Sequence, residues 1–545
     1  MRSSGRLLLA CASVACVGLA SGAVRGQPTL TPAPSPSPTP TPAGSSAVES
    51  SDVPPWQPSP ARFAVAPFDN ESGAKSYDWL IAAAPFEISE KTEDVLGLEP
   101  TGGTLHVGAS RIPSEVDPVT AFAKQRGATW VITGWVDRPN WQLRIGITLW
   151  KVAAQAEVVA EVQKQGAQTS YHQLLGDALA EVWSKAGITV DVARRTRFGR
   201  PLATDLYAVQ LMGRGLGHLT GVFGAVNLKA AEHDLERSVF IDPKCFEAQR
   251  LVGELYSVLA VTDPKAGGDP KLGPRAAGKF AYANDLAPDD LASLRAAAAG
   301  AARAGKHEVA KELWKQLVTR KPWALDARFE LGAALWQTGD GAAAERQLQQ
   351  VTAKQPGHLA ARRVLVLIHS SRSDTRRLVD ELEAIAVRAP ADLDIKADLA
   401  TAYGALDQWD KASRSLEQIA KARPTDLPLL IRIGDARLRL RDLDGALAWY
   451  GRGARLAPDS SFPGFSAAQA LFDAGRHADA IRAYTLLQKH RDDLAAAEHA
   501  LGAIALVQRR PDDAAWYLRR AVREAPRSLT AWRTLVAAEL ARKDP

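Results

Sequence analysis

The stretch "LEQIAKARPTDL", residues 416–427, decides the fold, because a helix-like run ends at Pro424 and a second run begins directly after it. Pro390 lies 34 residues before Pro424, and Pro458 lies 34 residues after it. A proline lacks a backbone donor and ends a helix at or near the residue before it. Helix ends at a fixed interval predict a chain built from repeated helical units.

The interval of 34 residues continues on both sides of this stretch, with prolines at 288, 322, 356, 390, 424, 458 and 526 and Asp492 in the remaining place. Small residues recur 12 and 24 positions before these sites, with Leu378 and Val366 as the exceptions. A large residue recurs eight positions before them: Trp314, Leu348, Leu382, Leu416, Tyr450, Tyr484 and Leu518. The small residues predict close approach of two helices, and the large ones are expected to fill the space between neighbouring repeats.

A period of 34 residues with these residue types resembles the tetratricopeptide repeat, in which each unit is a pair of helices. Two earlier repeats carry the same pattern through Ala231, Leu235 and Pro243. The segment 262–274 is rich in proline and glycine and is predicted to be a loop inside the second repeat. We therefore predict nine repeats over 206–526, forming an all-α superhelix or solenoid, and a capping helix over 527–545.

Residues 62–190 have a different pattern and predict a small α/β domain. "TWVITGWV" (129–136) is typical of a buried strand, and "WQLRIGITLWKV" (141–152) alternates apolar and polar residues. The run "SYDWLIAAAPFEISEKTEDVL" (76–96) has helical spacing, and we expect Pro85 to interrupt that helix. "SYHQLLGDALAEVWSKAGI" (170–188) predicts an amphipathic helix. The fold class is thus multidomain α+β, a small α/β domain followed by the helical array.

The α/β motifs occur in an order that is similar to a bacterial envelope family. "FAVAPFDNESG", "DWL", "GATWVITGWV" and "LRIGITLWKVAAQAEV" resemble the N-terminal domain of the translocation protein TolB and the CsgG/FlgO-like domains. Such domains often precede tetratricopeptide arrays. The resemblance implies a docking or oligomerising role in the cell envelope.

The first 26 residues predict export, because Arg2 and Arg6 precede an apolar stretch that is followed by the small residues Ser21 and Ala23. An uncleaved membrane anchor and a lipidated cysteine at Cys16 or Cys11 remain alternatives. The location is then periplasmic or associated with the outer membrane.

Two segments are predicted to be linkers. Residues 27–61 have proline at nearly every second position over much of their length, which favours an extended and disordered spacer. Residues 191–205 are basic and predict a solvated hinge before the repeats. The spacer would hold the folded part away from a surface or leader.

The composition excludes several kinds of partner and cofactor. The formal net charge is +6 without a dense basic run, so no nucleic-acid partner is expected. Cys245 is the one cysteine outside the leader, which allows no intrachain disulfide and no zinc site after cleavage. The ten histidines have no ligand spacing, and we expect no metal and no cofactor.

We also expect no enzyme activity, because the motifs of metalloproteases, serine hydrolases and phosphate-binding loops are absent from the sequence. "GRGLG" (213–217) follows no strand and predicts close helix packing rather than phosphate binding. Asp69 and Glu71 are interpreted as turn residues, and His218 as structural.

Partner binding is instead predicted in the groove of the array. The resemblance implies that positions 2, 5, 9, 12 and 13 of each first helix line this groove; we call them the groove positions. Aromatic residues and arginines anchor protein interfaces. The alternative is that the phenylalanines pack between helices and the arginines are solvated. The candidate groove residues are Arg295, Arg303, Phe329, Trp336, Arg363, Asp435, Arg439, Phe462, Phe465 and Phe472.

The expected function is therefore that of an exported, non-enzymatic scaffold that binds a peptide or protein in the cell envelope. The alternative is a component of an outer-membrane secretion or assembly complex that oligomerises through its α/β domain. Membrane association is expected only through a lipid or an uncleaved leader.

Overall fold

The structure is a computed structural model of the 545-residue chain. It describes residues 53–57, 60–101, 112–262, 268–457, 460, 462–487 and 494–543. The predicted leader 1–26 and residues 27–52 of the predicted linker lie outside the described residues. The chain divides into two compact units, residues 1–351 and 352–545.

The α/β region of the first unit contains a mixed sheet. Its first helix, α1, runs from Leu80 to Leu96. The strands are β1 (Arg62–Val65), β2 (Asp69–Asn70), β3 (Glu99–Pro100), β4 (Trp130–Asp137), β5 (Leu143–Val152) and β6 (Ala156–Gly166). The order is β3-β1-β4-β5-β6, and β2 also pairs with β4. Strands β1, β2 and β3 join the sheet in parallel, whereas β4, β5 and β6 form an antiparallel meander. The alternating side chains Leu143, Ile145, Ile147 and Leu149 are fully buried, as the period-two pattern predicted.

The prediction that Pro85 interrupts the first helix is wrong, because α1 continues through it. Proline cannot donate to the carbonyl four residues earlier, which here belongs to Ile81. That carbonyl instead accepts a hydrogen bond from the backbone N–H of Phe68 at 3.3 Å. The backbone of Phe68, between β1 and β2, thus satisfies the carbonyl that Pro85 leaves without a donor.

Two helices flank the sheet and one follows it: α2 (Val116–Arg126), α3 (Tyr171–Lys185) and α4 (Val192–Phe198). Helix α4 lies in the segment that was predicted to be a solvated hinge. Asp191 caps it by accepting from the N–H of Arg194, and Phe198 at its end is fully buried. Gly176 of α3 lets the backbone of α4 approach, since a Cβ there would lie 2.6 Å from the Phe198 carbonyl.

The remaining helices follow one another as pairs over the predicted repeats. Within each unit, successive helices pack against each other. They are α5 (Leu206–Thr220), α6 (Leu228–Ile241), α7 (Phe246–Val261), α8 (Leu272–Leu286), α9 (Leu291–Arg303), α10 (His307–Arg320), α11 (Leu325–Gln337), α12 (Gly341–Lys354), α13 (Leu359–Ser371), α14 (Thr375–Arg388), α15 (Leu393–Ala405), α16 (Trp409–Ala422), α17 (Leu427–Arg439), α18 (Leu443–Leu456), α19 (Phe462–Asp473), α20 (His477–Leu487), α21 (Leu494–Val507), α22 (Pro511–Glu524) and α23 (Leu529–Lys543).

The small and large positions of the repeat face each other within one repeat. A Cβ added to Gly332 would lie 2.8 Å from Leu348, and one added to Gly434 would lie 2.4 Å from Tyr450. The sequence had suggested that the large residue fills the space between neighbouring repeats. The structure confirms this for Tyr450, which clusters with Ala470 of the next repeat. The large side chain also lies over the small residue of its own helix pair, which explains why both positions recur together.

The turn inside each later helix pair has a periodic feature that the sequence pattern did not reveal. One residue per repeat has a positive φ, again at intervals of 34 positions: Gly305, Gly339, Ser373, Asp407, Arg441, Gly475 and Arg509. Glycine adopts this conformation without a steric penalty, whereas other residues are strained in it. Because only three of the seven residues are glycine, sequence identity alone conceals this position.

Among the described residues, no helix is both long enough and apolar enough to cross a membrane.

Candidate functional site

The first repeats already hold a helix of the same chain. Helix α1 packs against α5, where Gly213 allows the closest approach. A Cβ on Gly213 would lie 2.7 Å from the Trp79 carbonyl oxygen and 2.8 Å from the Ala83 Cβ. Gly215 approaches Leu235 in the same way. The sequence "GRGLG" is therefore used for close packing, as predicted.

Buried ion pairs join α1 to the first repeats. Arg250, the fifth residue of α7, places its Nη2 2.8 Å from Oε2 of Glu90, and both side chains are almost completely buried. The Arg250 guanidinium also lies over the ring of Phe86, 5.4 Å from its centre. One turn along α1, Glu93 pairs with the buried Lys321. The first repeats thus hold the acidic side of α1 through one groove position, Arg250, and through Lys321 at the end of α10.

A second buried cluster lies one turn earlier on α1, at Glu87 and Lys91. Glu87 is fully buried and pairs with Lys91 and, at 2.8 Å, with Nδ1 of His172. Burial works to raise the pKa of Glu87, but the interactions with Lys91 and His172 outweigh it and hold that pKa below its usual range. Burial and the nearby Glu87 carboxylate raise the pKa of the Tyr171 hydroxyl far above its usual range.

Acidic groups dominate the junction around Arg250. Burial and the nearby Asp290 and Glu90 carboxylates together raise the pKa of Glu247, the second residue of α7, to about 8. Burial likewise raises the pKa of Asp290, with Glu90 acting in the same direction. Arg250 compensates Glu90 and Asp290. Arg200 acts on Glu247.

The candidate groove residues of the first unit lie in different surroundings. Arg295, the fifth residue of α9, is partly buried, and burial lowers its pKa although Asp326, Glu99 and Glu90 act against this. Arg303 is exposed and contacts Ser257. Phe329 is 7% exposed and belongs to the interior, whereas Trp336 is partly exposed. Arg295 thus lies near α1 and its following strand rather than in an open groove.

Among the candidate groove residues of the second unit, some pack inside the protein and others lie on its surface. Phe465 packs edge-on against Tyr484, with ring centres 5.6 Å apart, and Phe472 packs against His477. Arg363 is exposed and pairs with Asp392 at 3.1 Å. The side chain of Phe462 lies outside the described residues. Phe465 and Phe472 are partly buried, so their rings contribute to the interior between α19 and α20.

An open cavity of about 420 Å³ lies in the second unit between α15, α16 and α17. Its floor is apolar, and the small residues Gly404 and Ala405 at groove positions of α15 leave the space unfilled. Its volume falls in the range of ligand pockets. The lining residues are Ala400, Thr401, Gly404, Ala405, Trp409, Ala412, Leu416, Arg432, Asp435 and Ala436.

The rim of this cavity carries polar groups of both signs. Asp435 accepts a hydrogen bond from the hydroxyl of Tyr450 at 2.6 Å, which holds its carboxylate in place. Arg432 donates to the Thr401 hydroxyl at 3.2 Å. The Arg439 guanidinium lies over the Trp409 ring, 5.5 Å from its centre. The structure therefore brings together two predicted residues, Asp435 and Arg439, around a cavity.

Sequence reasoning missed Trp409 and Arg432 because neither lies at a groove position. Trp409 begins the second helix of its repeat, and Arg432 is the sixth residue of α17. Gly404 and Ala405 of α15 leave the space opposite Trp409. Small residues are common throughout the chain, so this pair alone did not mark the site.

The end of the proline-rich segment contacts the fourth repeat, although it was predicted to be a disordered spacer. Arg328 is fully buried and donates to the carbonyl of Pro54 at 3.0 Å and to Gln347 at 2.7 Å. The backbone N–H of Trp56 donates to Gln350 at 3.1 Å. This segment therefore binds α11 and α12 through its own backbone.

The described residues contain no group of three or more acidic, histidine or cysteine side chains placed to hold a metal. Cys245 is buried, and burial raises the pKa of its thiol well above the usual range, with the Glu247 carboxylate adding to this. The thiol is therefore unreactive, as a small interior residue would be. His218 packs edge-on against Phe223 at 5.4 Å.

Family models described as tetratricopeptide repeat match residues 301–366, 397–461 and 465–528. These segments are tetratricopeptide repeats. The repeats generally serve as protein-interaction scaffolds rather than as enzymes, and their stacked helices present extended binding surfaces. The models do not cover the α/β region. No curated protein matches this chain.

Several solved structures are similar to parts of the chain. The C-terminal part of a tetratricopeptide repeat-containing protein from Cytophaga hutchinsonii is 14% identical over 44% of this chain and 98% of its own, with a TM-score of 0.33. A tetratricopeptide repeat protein from Parabacteroides merdae is 12% identical over 49% of this chain and 100% of its own, with a TM-score of 0.32. MamA from Desulfovibrio magneticus is 20% identical over 32% of this chain and 97% of its own, with a TM-score of 0.26. The repeat assignment rests on the family models.

Proposed function

We propose that this chain is an exported, non-enzymatic scaffold of the bacterial cell envelope that holds a segment of a protein partner on its tetratricopeptide repeats. The observation that carries the proposal is the open cavity at Trp409, which lies between first helices of neighbouring repeats. The first repeats hold α1 and are occupied. The repeats around α15 and α17 therefore offer the free binding surface.

The cavity fits a bulky apolar side chain of an extended or helical segment. Its alanines and Leu416 provide an apolar floor, and Trp409 provides a flat aromatic wall. Burying one large apolar side chain is worth about 1.5–3 kcal/mol. Arg432 and Asp435 at the rim are placed to bond the backbone or polar neighbours of that side chain, which would set its orientation.

We expect a large residue in the cavity to block partner binding. Ala405→Trp places an indole at the exposed edge of the cavity and should weaken binding at least about tenfold, because the partner loses the burial of one large side chain. The measurement is site-specific photo-crosslinking from position 401 in native cells, followed by fractionation and identification of the products. A specific product in the envelope fraction, reduced by Ala405→Trp, would support both the binding site and the export.

The matched control is Ala422→Trp, because Ala422 is exposed at the end of α16 and does not line the cavity. Equal crosslinking by both variants would place binding outside the cavity. Products confined to the cytoplasm would contradict the export, whichever variant reduces them.

A second candidate function is that of an assembly or secretion component that oligomerises through the α/β region, as the resemblance to TolB and CsgG-like domains implies. What supports it is an exposed aromatic anchor between β4 and β5. Trp141 is 80% exposed, and the Arg138 guanidinium stacks over its ring at 3.8 Å. Tryptophan and arginine dominate the energetics of protein interfaces.

If the second function is right, native mass spectrometry of the full chain should show rings larger than a dimer. Trp141→Ala should lower their population about tenfold or more, because the variant removes the central contact of the interface. Phe240→Ala is the control, since Phe240 is equally exposed but lies on α6. Rings that persist in Trp141→Ala, or a chain without rings, would count against this function.

A further inference from the structure

Helix α23 covers the end of the repeats with one side and leaves an apolar stripe on the other. Ala531, Leu535 and Ala538 are buried against the preceding helices. The opposite side carries four large apolar residues that are 63%, 46%, 56% and 62% exposed: Leu529, Trp532, Val536 and Leu540. The helix was predicted to be a cap, and a cap is expected to present a polar outer face.

The spacing of these residues makes the stripe continuous. Intervals of three, four and four positions place all four side chains on one face of a helix. The stripe is about 16 Å long, at 1.5 Å per residue. If each side chain exposes on the order of 100 Å², the patch is about 400 Å², which is the size at which an exposed apolar surface of a monomer is usually functional.

The neighbouring contacts hold this face in place. The indole N–H of Trp532 donates to the Pro526 carbonyl at 2.9 Å, which fixes the ring. Thr534 bonds His499 at 3.0 Å, and Glu539 pairs with Arg519 at 2.6 Å. These polar contacts lie on the flanks of the helix and tie it to α21 and α22. The apolar face therefore does not depend on a rearrangement of α23.

The large apolar residues have similar spacings whether the stripe is read from Leu529 to Leu540 or in the opposite direction. In an antiparallel pair of α23 helices, Leu529 of one copy lies opposite Leu540 of the other, and Trp532 lies opposite Val536. Each contact then occurs twice, as a two-fold symmetric interface requires. Arg533 is exposed and lies at the edge of the stripe, where its guanidinium can remain in water.

We propose that the exposed face of α23 is a homodimer interface, formed by antiparallel packing against α23 of a second copy. Two patches bury about 800 Å² in total, which is below the range of roughly 1,200–2,000 Å² found for stable complexes. An interface of this size fits a weak and reversible dimer rather than a permanent one. This inference is independent of the cavity and of the α/β region.

Sedimentation velocity of the full chain between about 1 and 100 µM tests the proposal. The average mass should rise toward twice that of the monomer across this range. Val536→Glu should weaken the dimer at least about tenfold, because it places a carboxylate in each of two symmetric contacts. Val387→Glu is the control: Val387 is 78% exposed on α14, and its substitution should leave the dimer unchanged.

Disulfide crosslinking tests the register. A mixture of Leu529→Cys and Leu540→Cys chains should form a crosslinked dimer above the background of the unsubstituted chain. Either variant alone should not, since identical positions then lie about 16 Å apart along the axis. A monomer at all concentrations, a dimer insensitive to Val536→Glu, or crosslinking of Leu529→Cys with itself would each overturn the proposal.

Discussion

We expect Arg250→Ala to lower the free energy of unfolding of the first unit by about 3–5 kcal/mol. The substitution leaves the Glu90 carboxylate buried without the guanidinium that now lies 2.8 Å away. Glu247 and Asp290 lie in the same acidic junction, and burial already raises the pKa of both. Removing the guanidinium therefore leaves Glu90 and Asp290 without the cation that now acts on both, in a region that excludes water.

The measurement is urea unfolding of the full chain, combined with hydrogen exchange of the α1 amides, because the two units can unfold separately. The control is Arg320→Ala, since the Arg320 pair with Asp289 is largely exposed and is worth less than about 1 kcal/mol. The double variant Glu90→Leu with Arg250→Met should recover most of the loss, because an apolar pair replaces the buried charges. Equal effects of Arg250→Ala and Arg320→Ala would show that α1 is not held by this pair.

This prediction follows from treating α1 as a ligand that the chain carries itself. The first repeats contact α1 as they would contact a bound helix, with Arg250 on Glu90 and Gly213 under the backbone. A partner of the first repeats would have to displace a helix whose other side forms the core of the α/β region. Binding to the later repeats requires no such displacement, which is why the cavity at Trp409 is the better candidate.

The repeats could be predicted from the sequence because their contacts are local. Gly434 and Tyr450 are 16 positions apart, and the same pair recurs as Gly332 with Leu348 and Gly502 with Leu518. A contact that recurs every 34 residues produces a periodic pattern of residue types, and the small and large positions both show this period. The strands of the α/β region were likewise visible, since alternation in β5 is a property of neighbouring residues.

The packing of α1 against the first repeats could not be predicted, because its contacts are not repeated along the chain. Glu90 and Arg250 are 160 positions apart, and Glu93 and Lys321 are farther apart still. In the sequence, the charged residues of α1 look like the solvated side of an amphipathic helix. Arg295 was assigned to an open groove for the same reason. Only the fold shows that these charges face each other.

The cavity is only partly visible in the sequence, because it results from missing volume. Gly404 and Ala405 are small in a chain rich in small residues, and nothing in the period marks them as different. Asp435 and Arg439 were found because groove positions are periodic. Trp409 was not found, since it belongs to the second helix of its repeat.

We expect Phe198→Ala to cost about 3–5 kcal/mol of the stability of the first unit, the range for removing a fully buried phenylalanine. The segment was predicted to be a solvated hinge, and in a hinge this substitution would cost almost nothing. In the structure, Phe198 belongs to the same apolar cluster as Trp183 of α3 and Phe86 of α1. Its carbonyl also accepts a hydrogen bond from the buried Lys91.

Val192→Ala in the same helix is the matched control, because Val192 is 82% exposed and its loss should change stability by less than about 0.5 kcal/mol. Urea unfolding gives both costs, and hydrogen exchange shows where the structure opens. Faster exchange in α3 and α1 together would show that α4 joins the α/β region to the repeats as part of one core. If Phe198→Ala were as mild as Val192→Ala, the segment would act as the hinge that its basic composition indicates. The α/β region would then be held to the repeats by α1 and by the segment at Pro54 and Trp56.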